Sequence, residues 1–84
     1  MKIYDYNGKA NICGLKIKAA RIKQNLTQEE LSIKMQLKNI EISQKVISRI
    51  EKQERFVADY ELLAFSEILK IDLYELLSND DTEF

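Results

Sequence analysis

Residues 43–53 read Ser-Gln-Lys-Val-Ile-Ser-Arg-Ile-Glu-Lys-Gln, and this stretch constrains the fold more than any other. Its apolar residues Val46, Ile47 and Ile50 are spaced so that they share one face of a short helix. The polar side chains fall on the other face; they are Gln44, Lys45, Ser48, Arg49 and Lys52. Gln and Arg carry paired hydrogen-bonding groups that match the edges of adenine and guanine, so such a helix suits the major groove of DNA. An ordinary solvent-exposed amphipathic helix would show the same pattern.

The composition limits the class of protein. Eighty-four residues make one small domain, and the sequence has no proline and only two glycines. Abundant Leu, Ile, Lys, Glu and Gln favour an all-α chain. No apolar run approaches the roughly 20 residues of a membrane span, and there is no apolar core of a signal peptide. The single Cys13 excludes an intramolecular disulfide, so we expect a cytoplasmic protein.

The charge is unevenly distributed along the chain. The net charge is −1 and the isoelectric point is about 5.4, and these values by themselves argue against nucleic acid as a binding partner. Yet residues 15–55 carry ten Lys or Arg against five Glu, whereas residues 56–84 carry one Lys against eight acidic residues. A basic part and an acidic part are expected of a protein with one side facing a polyanion. Scattered charges with an acidic solubilising tail explain the distribution equally well.

The sequence before the central stretch predicts two helices. Residues 1–11 are expected to form a flexible lead-in, ending at Asn11 as the N-cap of a helix over about 12–24. Thr27 and Glu30 form a capping box that starts a second helix, which runs to about residue 37 or 38. Asn39 is expected to end it in the left-handed conformation. The predicted inward residues are Ile12, Leu15, Ala19, Ile22 and Leu26 around the first helix and Leu31, Met35 and Leu37 in the second.

Three further helices are expected in the rest of the domain, which we place at residues 12–78. Ser43 caps the central helix, which ends near Lys52, and Asp59 caps a helix over about 60–69. Asp72 opens a final short helix that runs through Leu77. Residues 79–84 are predicted to be an acidic disordered tail. In the fourth helix the predicted inward residues are Leu62, Leu63, Ser66 and Leu69.

The order of these elements resembles the helix-turn-helix domain of phage repressors and Cro proteins, the XRE family, over residues 12–77. The resemblance rests on Ala20-Arg21-Ile22, Leu26-Thr27-Gln28-Glu29-Glu30-Leu31, Ile47-Ser48-Arg49-Ile50-Glu51, and the Leu62-Leu63 and Leu76-Leu77 pairs. It implies an all-α, compact bundle of five helices of the lambda repressor-like type. It also implies a sequence-specific regulator of transcription that binds double-stranded DNA, and we expect a repressor that occludes promoters.

The resemblance implies roles for individual residues. Gln28, at the start of the second helix, matches a position that binds a phosphate. Lys52 and Arg55, after the third helix, also match phosphate contacts. Arg21 and Glu51 match a partly buried structural ion pair. The positions that match readers of base edges are Gln44, Lys45, Ser48 and Arg49.

Two features depart from the family pattern. The segment from Gln28 to Gln44 is about five residues longer than in the smallest members and lacks the usual glycine of the turn. Gln53 stands where many members have a glycine that ends the third helix. Both departures affect how the third helix is presented to DNA.

The remaining expectations concern assembly and other classes of function. One helix reads too few base pairs to specify a genomic site, so we expect a homodimer that binds half-sites about 34 Å apart. Leu73, Tyr74 and Leu77 are the candidate dimer contacts. A protein-interaction module, such as an antitoxin or a regulator subunit, remains an alternative that would use the same surface. An enzyme is not expected, because the chain has no His, no Gly-rich phosphate loop and no cluster of metal ligands. No cofactor, small-molecule ligand or membrane association is predicted.

Overall fold

Five α-helices make up most of the part of the chain that the structure, a computed structural model, describes, namely residues 5–78. They are α1 (Gly14–Lys23), α2 (Gln28–Gln36), α3 (Gln44–Glu51), α4 (Asp59–Leu69) and α5 (Leu73–Leu77). The extended structure within residues 5–78 is one isolated bridge between Tyr6 and Lys9. The predicted all-α, five-helix fold is therefore confirmed. The expectations for residues 1–4 of the lead-in and for the 79–84 tail lie outside the described residues.

The starts of α2 and α3 follow the predicted capping chemistry. Thr27 Oγ1 accepts a hydrogen bond from the Glu30 backbone N–H at 3.0 Å, and Glu30 Oε1 accepts one from the Thr27 N–H at 2.8 Å. Ser43 Oγ accepts from the Val46 N–H at 3.2 Å. Each bond satisfies a backbone donor that a helix start leaves without an intrahelical partner. The capping box and the Ser43 cap are confirmed.

Two predicted helix starts differ in the structure, and one predicted cap lacks its hydrogen bond. Asn11 does accept a hydrogen bond from the Gly14 N–H at 2.8 Å, but α1 begins at Gly14 rather than at residue 12. Asp59 is the first residue of α4 and not its cap. The N-cap is Ala58, whose N–H donates to Glu61 Oε1 at 2.9 Å. Asp72 precedes α5 as predicted, but its side chain makes no capping hydrogen bond.

Non-glycine residues in the left-handed conformation follow four of the helices. Asn39 has φ +62° after α2, as predicted, although α2 ends at Gln36 before a turn of three residues. Gln53 has φ +63° after α3, at the position where the family pattern has glycine. Asn25 and Lys70 adopt the same conformation after α1 and α4.

The core lies where α1 and α2 pack against both α3 and α4, and α5 packs against α4. Its fully buried apolar side chains include those of Ile17, Leu31, Met35, Ile42, Ile47, Ile50, Phe65, Leu69 and Leu76. The predicted inward face of α1 is wrong: Leu15 is 59% exposed and Ile22 is 55% exposed, while Cys13 and Ile17 are buried. Arg21 points toward α3, and the residues that share its face are those one and two turns earlier, which include Cys13 and Ile17.

Two more predicted core residues are exposed. Leu37 is 80% exposed because it follows the last residue of α2, in the turn that leads to α3. Leu63 is 49% exposed because α4 turns Ala64, Phe65 and Leu69 toward the core. None of the helices in residues 5–78 has the length and apolar character needed to cross a membrane.

Candidate nucleic-acid interface

An ion pair fixes α3 against α1. Arg21 Nε donates to Glu51 Oε2 at 2.7 Å, and Arg21 Nη2 donates to Glu51 Oε1 at 3.1 Å. The two side chains are 11% and 3% exposed. Arg21 Nη1 also donates to the Leu26 carbonyl oxygen at 2.8 Å, which holds the turn between α1 and α2. The planar guanidinium thus makes a two-point contact with the carboxylate, which is the strongest geometry for such a pair.

A chain of hydrogen bonds continues from this ion pair to the surface. Gln28 Nε2 donates to Glu51 Oε1 at 2.9 Å, and Gln44 Nε2 donates to Gln28 Oε1 at 3.2 Å. Because the Glu51 carboxylate accepts hydrogen bonds only, Gln28 must offer it the amide nitrogen and must turn its oxygen toward Gln44. The first residues of α2 and α3 are thereby joined side chain to side chain.

The outward face of α3 is polar. Gln44, Lys45 and Arg49 are exposed, and Ser48 is half-buried between them. The side chains of Lys45, Arg49 and Lys52 make no hydrogen bond or ion pair with any residue in 5–78. Their charges are therefore available to a ligand.

An open cleft of about 910 Å³ lies at the C-terminal end of α3. Arg49, Lys52 and Arg55 line it, and so do Lys9 and its neighbours Gly8 and Ala10. Asp5 and Glu54 are the acidic residues that line it. The structure thus brings together three basic residues that sequence reasoning had assigned to DNA contacts.

A helix-turn-helix family model matches residues 17–76, which is most of the chain. The chain belongs to the helix-turn-helix family. It is also similar in structure to the DNA-binding domain of BldD, with a TM-score of 0.67 over 87% of this chain and 99% of that one, at 20% sequence identity. No curated protein has a significantly similar sequence. The family places this domain among DNA-binding transcription regulators of the XRE type.

In this helix-turn-helix domain, Arg55 has a structural partner that the sequence did not reveal. Arg55 Nη1 donates to Glu61 Oε1 at 2.7 Å and to the Phe56 carbonyl oxygen at 2.9 Å, and the guanidinium carbon lies 4.7 Å from the centre of the Phe56 ring. Arg55 is 22% exposed and Glu61 is 6% exposed. The sequence alone does not indicate this role of Glu61, because acidic residues are common in the first turn of a helix whether or not they have a partner. The predicted phosphate contact of Arg55 stays a prediction, and it would use the nitrogens that face away from Glu61.

Asn11 joins the end of α3 to the start of α1 by hydrogen bonds. Its Nδ2 donates to the carbonyl oxygens of Ile50, at 3.1 Å, and Arg55, at 2.8 Å, while its Oδ1 accepts from the Gly14 N–H. Gln53 Nε2 donates to the Asn11 carbonyl oxygen at 3.3 Å. The last residues of the predicted lead-in thus bind the segment that carries Lys52 and Arg55. The sequence predicts Asn11 only as a helix cap. Its hydrogen bonds to residues 50 and 55 are visible only in the structure.

The same contact leaves no room for a side chain at Gly14. A Cβ atom there would lie 2.1 Å from the Ile50 carbonyl oxygen and 2.9 Å from Asn11 Oδ1. Glycine therefore permits the first turn of α1 to lie directly against the last turn of α3.

Cys13 is a buried thiol. Burial raises the pKa of the Cys13 thiol from 9.0 to about 11, an effect that a backbone hydrogen bond partly opposes. The thiol is thus neutral at physiological pH and shielded from reagents. Within residues 5–78 no three Cys, Asp or Glu side chains are placed to hold a metal ion.

Proposed function

We propose that this chain is a sequence-specific, double-stranded DNA-binding repressor that acts as a homodimer and occludes promoters. The observation that supports it most is the hydrogen-bonded chain from Arg21 through Glu51 and Gln28 to Gln44. This chain fixes the position of α3 relative to α2 and holds a base-reading side chain at the surface in a defined orientation. Such preorganisation lowers the entropy lost on binding. Because the proposed target is chromosomal or phage DNA, we also propose a cytoplasmic location.

Gln44 is suited to adenine in particular. Its Nε2 uses one hydrogen on Gln28, so the second hydrogen and Oε1 remain for a ligand. Those two groups match the N7 acceptor and the N6 donor of adenine. Arg49, one turn further along α3, carries the fork that matches guanine O6 and N7. Lys45 and Ser48 complete the proposed base-reading set, and each good bidentate contact contributes about 1–3 kcal/mol of discrimination.

The proposed phosphate contacts come from the start of α2 and from the segment that follows α3. Gln28 stands at the first position of α2, where backbone N–H groups and the helix dipole favour an anion. Lys52 lies just past the end of α3 and is exposed. With Arg55, these residues would bind DNA without distinguishing its sequence.

The proposed dimer surface is on α5. Tyr74 is 83% exposed and Leu77 is 44% exposed, whereas Leu73 is half-buried. Since α3 has eight residues, it is only about 12 Å long and spans three or four base pairs. Two copies related by two-fold symmetry would read a longer palindromic site. A Tyr74→Glu variant is expected to sediment as a monomer at concentrations where the unaltered protein is a dimer.

The deciding experiment is selection of bound duplexes from a random pool at low and at near-physiological salt. We expect a palindrome that survives the higher salt, with half-site centres separated by about one helical turn. Binding that vanishes at the higher salt and enriches no sequence would leave only the non-specific electrostatic component. That result would contradict the proposal and favour a protein partner for the same surface.

A further inference from the structure

The segment before α1 is a small hairpin rather than a loose arm. The Tyr6 N–H donates to the Lys9 carbonyl oxygen at 2.6 Å, and the Lys9 N–H donates to the Tyr6 carbonyl oxygen at 3.0 Å. Asn7 and Gly8, between them, both have positive φ, at 53° and 82°. Two such residues form the two-residue turn that suits a hairpin best. Asp5 Oδ1 accepts from the Gly8 N–H at 2.8 Å and closes the turn further.

This hairpin is attached to the end of the recognition helix. The Ala10 N–H donates to the Gln53 carbonyl oxygen at 2.9 Å, immediately after α3. Asn11 then binds the carbonyl oxygens of Ile50 and Arg55, as described above. The position of Lys9 relative to α3 is therefore set by the Ala10–Gln53 backbone bond and by the Asn11 side chain, which both follow it directly.

The cleft between the hairpin and α3 holds several cationic groups without partners. The side chains of Lys9, Arg49 and Lys52 line it and make no hydrogen bond or ion pair within residues 5–78. Two acidic residues, Asp5 and Glu54, also line it, and the Asp5 carboxylate accepts a hydrogen bond from the turn. With Arg55, the lining carries four basic residues against these two acidic ones, and such an excess of positive charge in an open cleft favours an anionic ligand.

The position of the cleft indicates which anion it is suited to bind. The N-terminal residues of a recognition helix contact base edges, so its C-terminal end comes out of the groove beside the sugar-phosphate backbone. Here that end carries Lys52, and Lys9 lines the same cleft. We propose that the cleft binds a phosphodiester group of the DNA backbone and that Lys9, outside the helix-turn-helix, is one of its ligands. This proposal rests on the proposed DNA-binding function.

The test is the salt dependence of binding by a Lys9→Ala variant to the selected duplex. Each phosphate contact contributes about 0.9 to the slope of log affinity against log salt. Because the proposed dimer places one Lys9 on each half-site, the variant should have a slope smaller by about 1.8, and its affinity should fall about 12-fold less than that of the unaltered protein between 50 and 200 mM salt. Lys9→Arg should retain the slope because it keeps the charge. Folding should be unaffected, and a thermal melt checks this.

Lys23→Ala is the matched control, since Lys23 is an exposed lysine on a different cleft, between α1 and α5. It should bind as the unaltered protein does. Ethylation of individual phosphates gives a second readout: one phosphate per half-site that interferes with the unaltered protein should cease to interfere with Lys9→Ala. Equal slopes and equal interference patterns for Lys9→Ala, Lys23→Ala and the unaltered protein would overturn the Lys9 proposal while DNA binding stood. If the unaltered protein binds no duplex, the proposed function fails, and this inference fails with it.

Discussion

Replacing Gly14 with alanine should destabilise the domain, although alanine is the better helix former. The added Cβ would lie 2.1 Å from the Ile50 carbonyl oxygen, whereas close carbon–oxygen contacts in proteins are about 3.3 Å. The start of α1 and the end of α3 must then separate by about 1 Å. Because the obstructing atom is in a helix backbone, no side-chain rotation can relieve the contact.

The opposing effects of Gly14→Ala can be compared. Helix propensity favours alanine by at most about 1 kcal/mol. Overpacking costs about 1–3 kcal/mol. The separation also weakens two hydrogen bonds of Asn11, to the Gly14 N–H and the Ile50 carbonyl oxygen, and each contributes about 0.5–1.5 kcal/mol. The net expectation is a loss of about 2–4 kcal/mol in the free energy of unfolding.

Urea unfolding followed by circular dichroism measures this difference. Ala19→Gly is the control, because Ala19 is exposed in the same helix and reports propensity alone, at about 1 kcal/mol. If Gly14→Ala is as stable as the unaltered protein, or more stable, then the close contact between α1 and α3 does not exist as described. Binding of the selected duplex by the folded fraction gives a further check, since a displaced α3 should bind it more weakly.

Three other predictions concern the site and the core. Arg49→Ala should relax base preference at one position, whereas Lys52→Ala should weaken binding evenly across sequences. Duplex selection with each variant distinguishes the two results. Equal effects of both variants on all sequences would show that the base-reading face lies elsewhere. Glu51→Leu leaves Arg21 buried without a counter-ion and should lower the free energy of unfolding by about 3–5 kcal/mol, as measured in urea. Adding Arg21→Met should restore much of this loss, because the double variant has no buried charge. Since burial raises the pKa of Cys13 from 9.0 to about 11, the folded domain keeps a proton that the unfolded chain loses as the pH rises through this range. The free energy of unfolding should then fall by up to about 1.4 kcal/mol per pH unit relative to a Cys13→Ala variant, as unfolding at several pH values would show.

The features predicted well from the sequence are those with local causes. The capping box of Thr27 and Glu30, the Ser43 cap and the left-handed Asn39 each depend on residues within four positions of one another. Local hydrogen bonds and backbone sterics decide such features, and the sequence displays both. The order of the helices followed from these signals.

The inward face of α1 was mispredicted because two apolar stripes compete in that helix. Leu15 and Ile22 belong to the stripe that is exposed, while Ile17 belongs to the one that is buried. The ion pair of Arg21 with Glu51 decides between them, because a helix that turns Arg21 toward α3 must turn Ile17 inward one turn earlier. The two partners of this ion pair are 30 residues apart, so the apolar spacing within α1 carries no sign of it.

The contacts around the end of α3 could not be derived from spacing. Asn11 binds residues about forty positions away, and Gly14 has no side chain whose pattern could reveal its contact with Ile50. Arg55 and Glu61 are six residues apart across a bend, so no helical or strand period relates them. Such contacts depend on how whole helices meet, and a single sequence carries no signal of that kind.

The left-handed residues that follow the helices are strained, so the fold can be made more stable by relieving that strain. A non-glycine residue in that conformation carries about 1–3 kcal/mol of strain, which glycine would relieve against about 0.4–1 kcal/mol of added freedom in the unfolded chain. Lys70, with φ +56°, lies on the α1–α5 cleft, away from the outward face of α3. A change to glycine there would raise stability without altering a side chain of the proposed DNA interface. The scaffold can therefore be strengthened first and its recognition helix rewritten afterwards, which makes this domain a suitable starting point for evolving new target sequences.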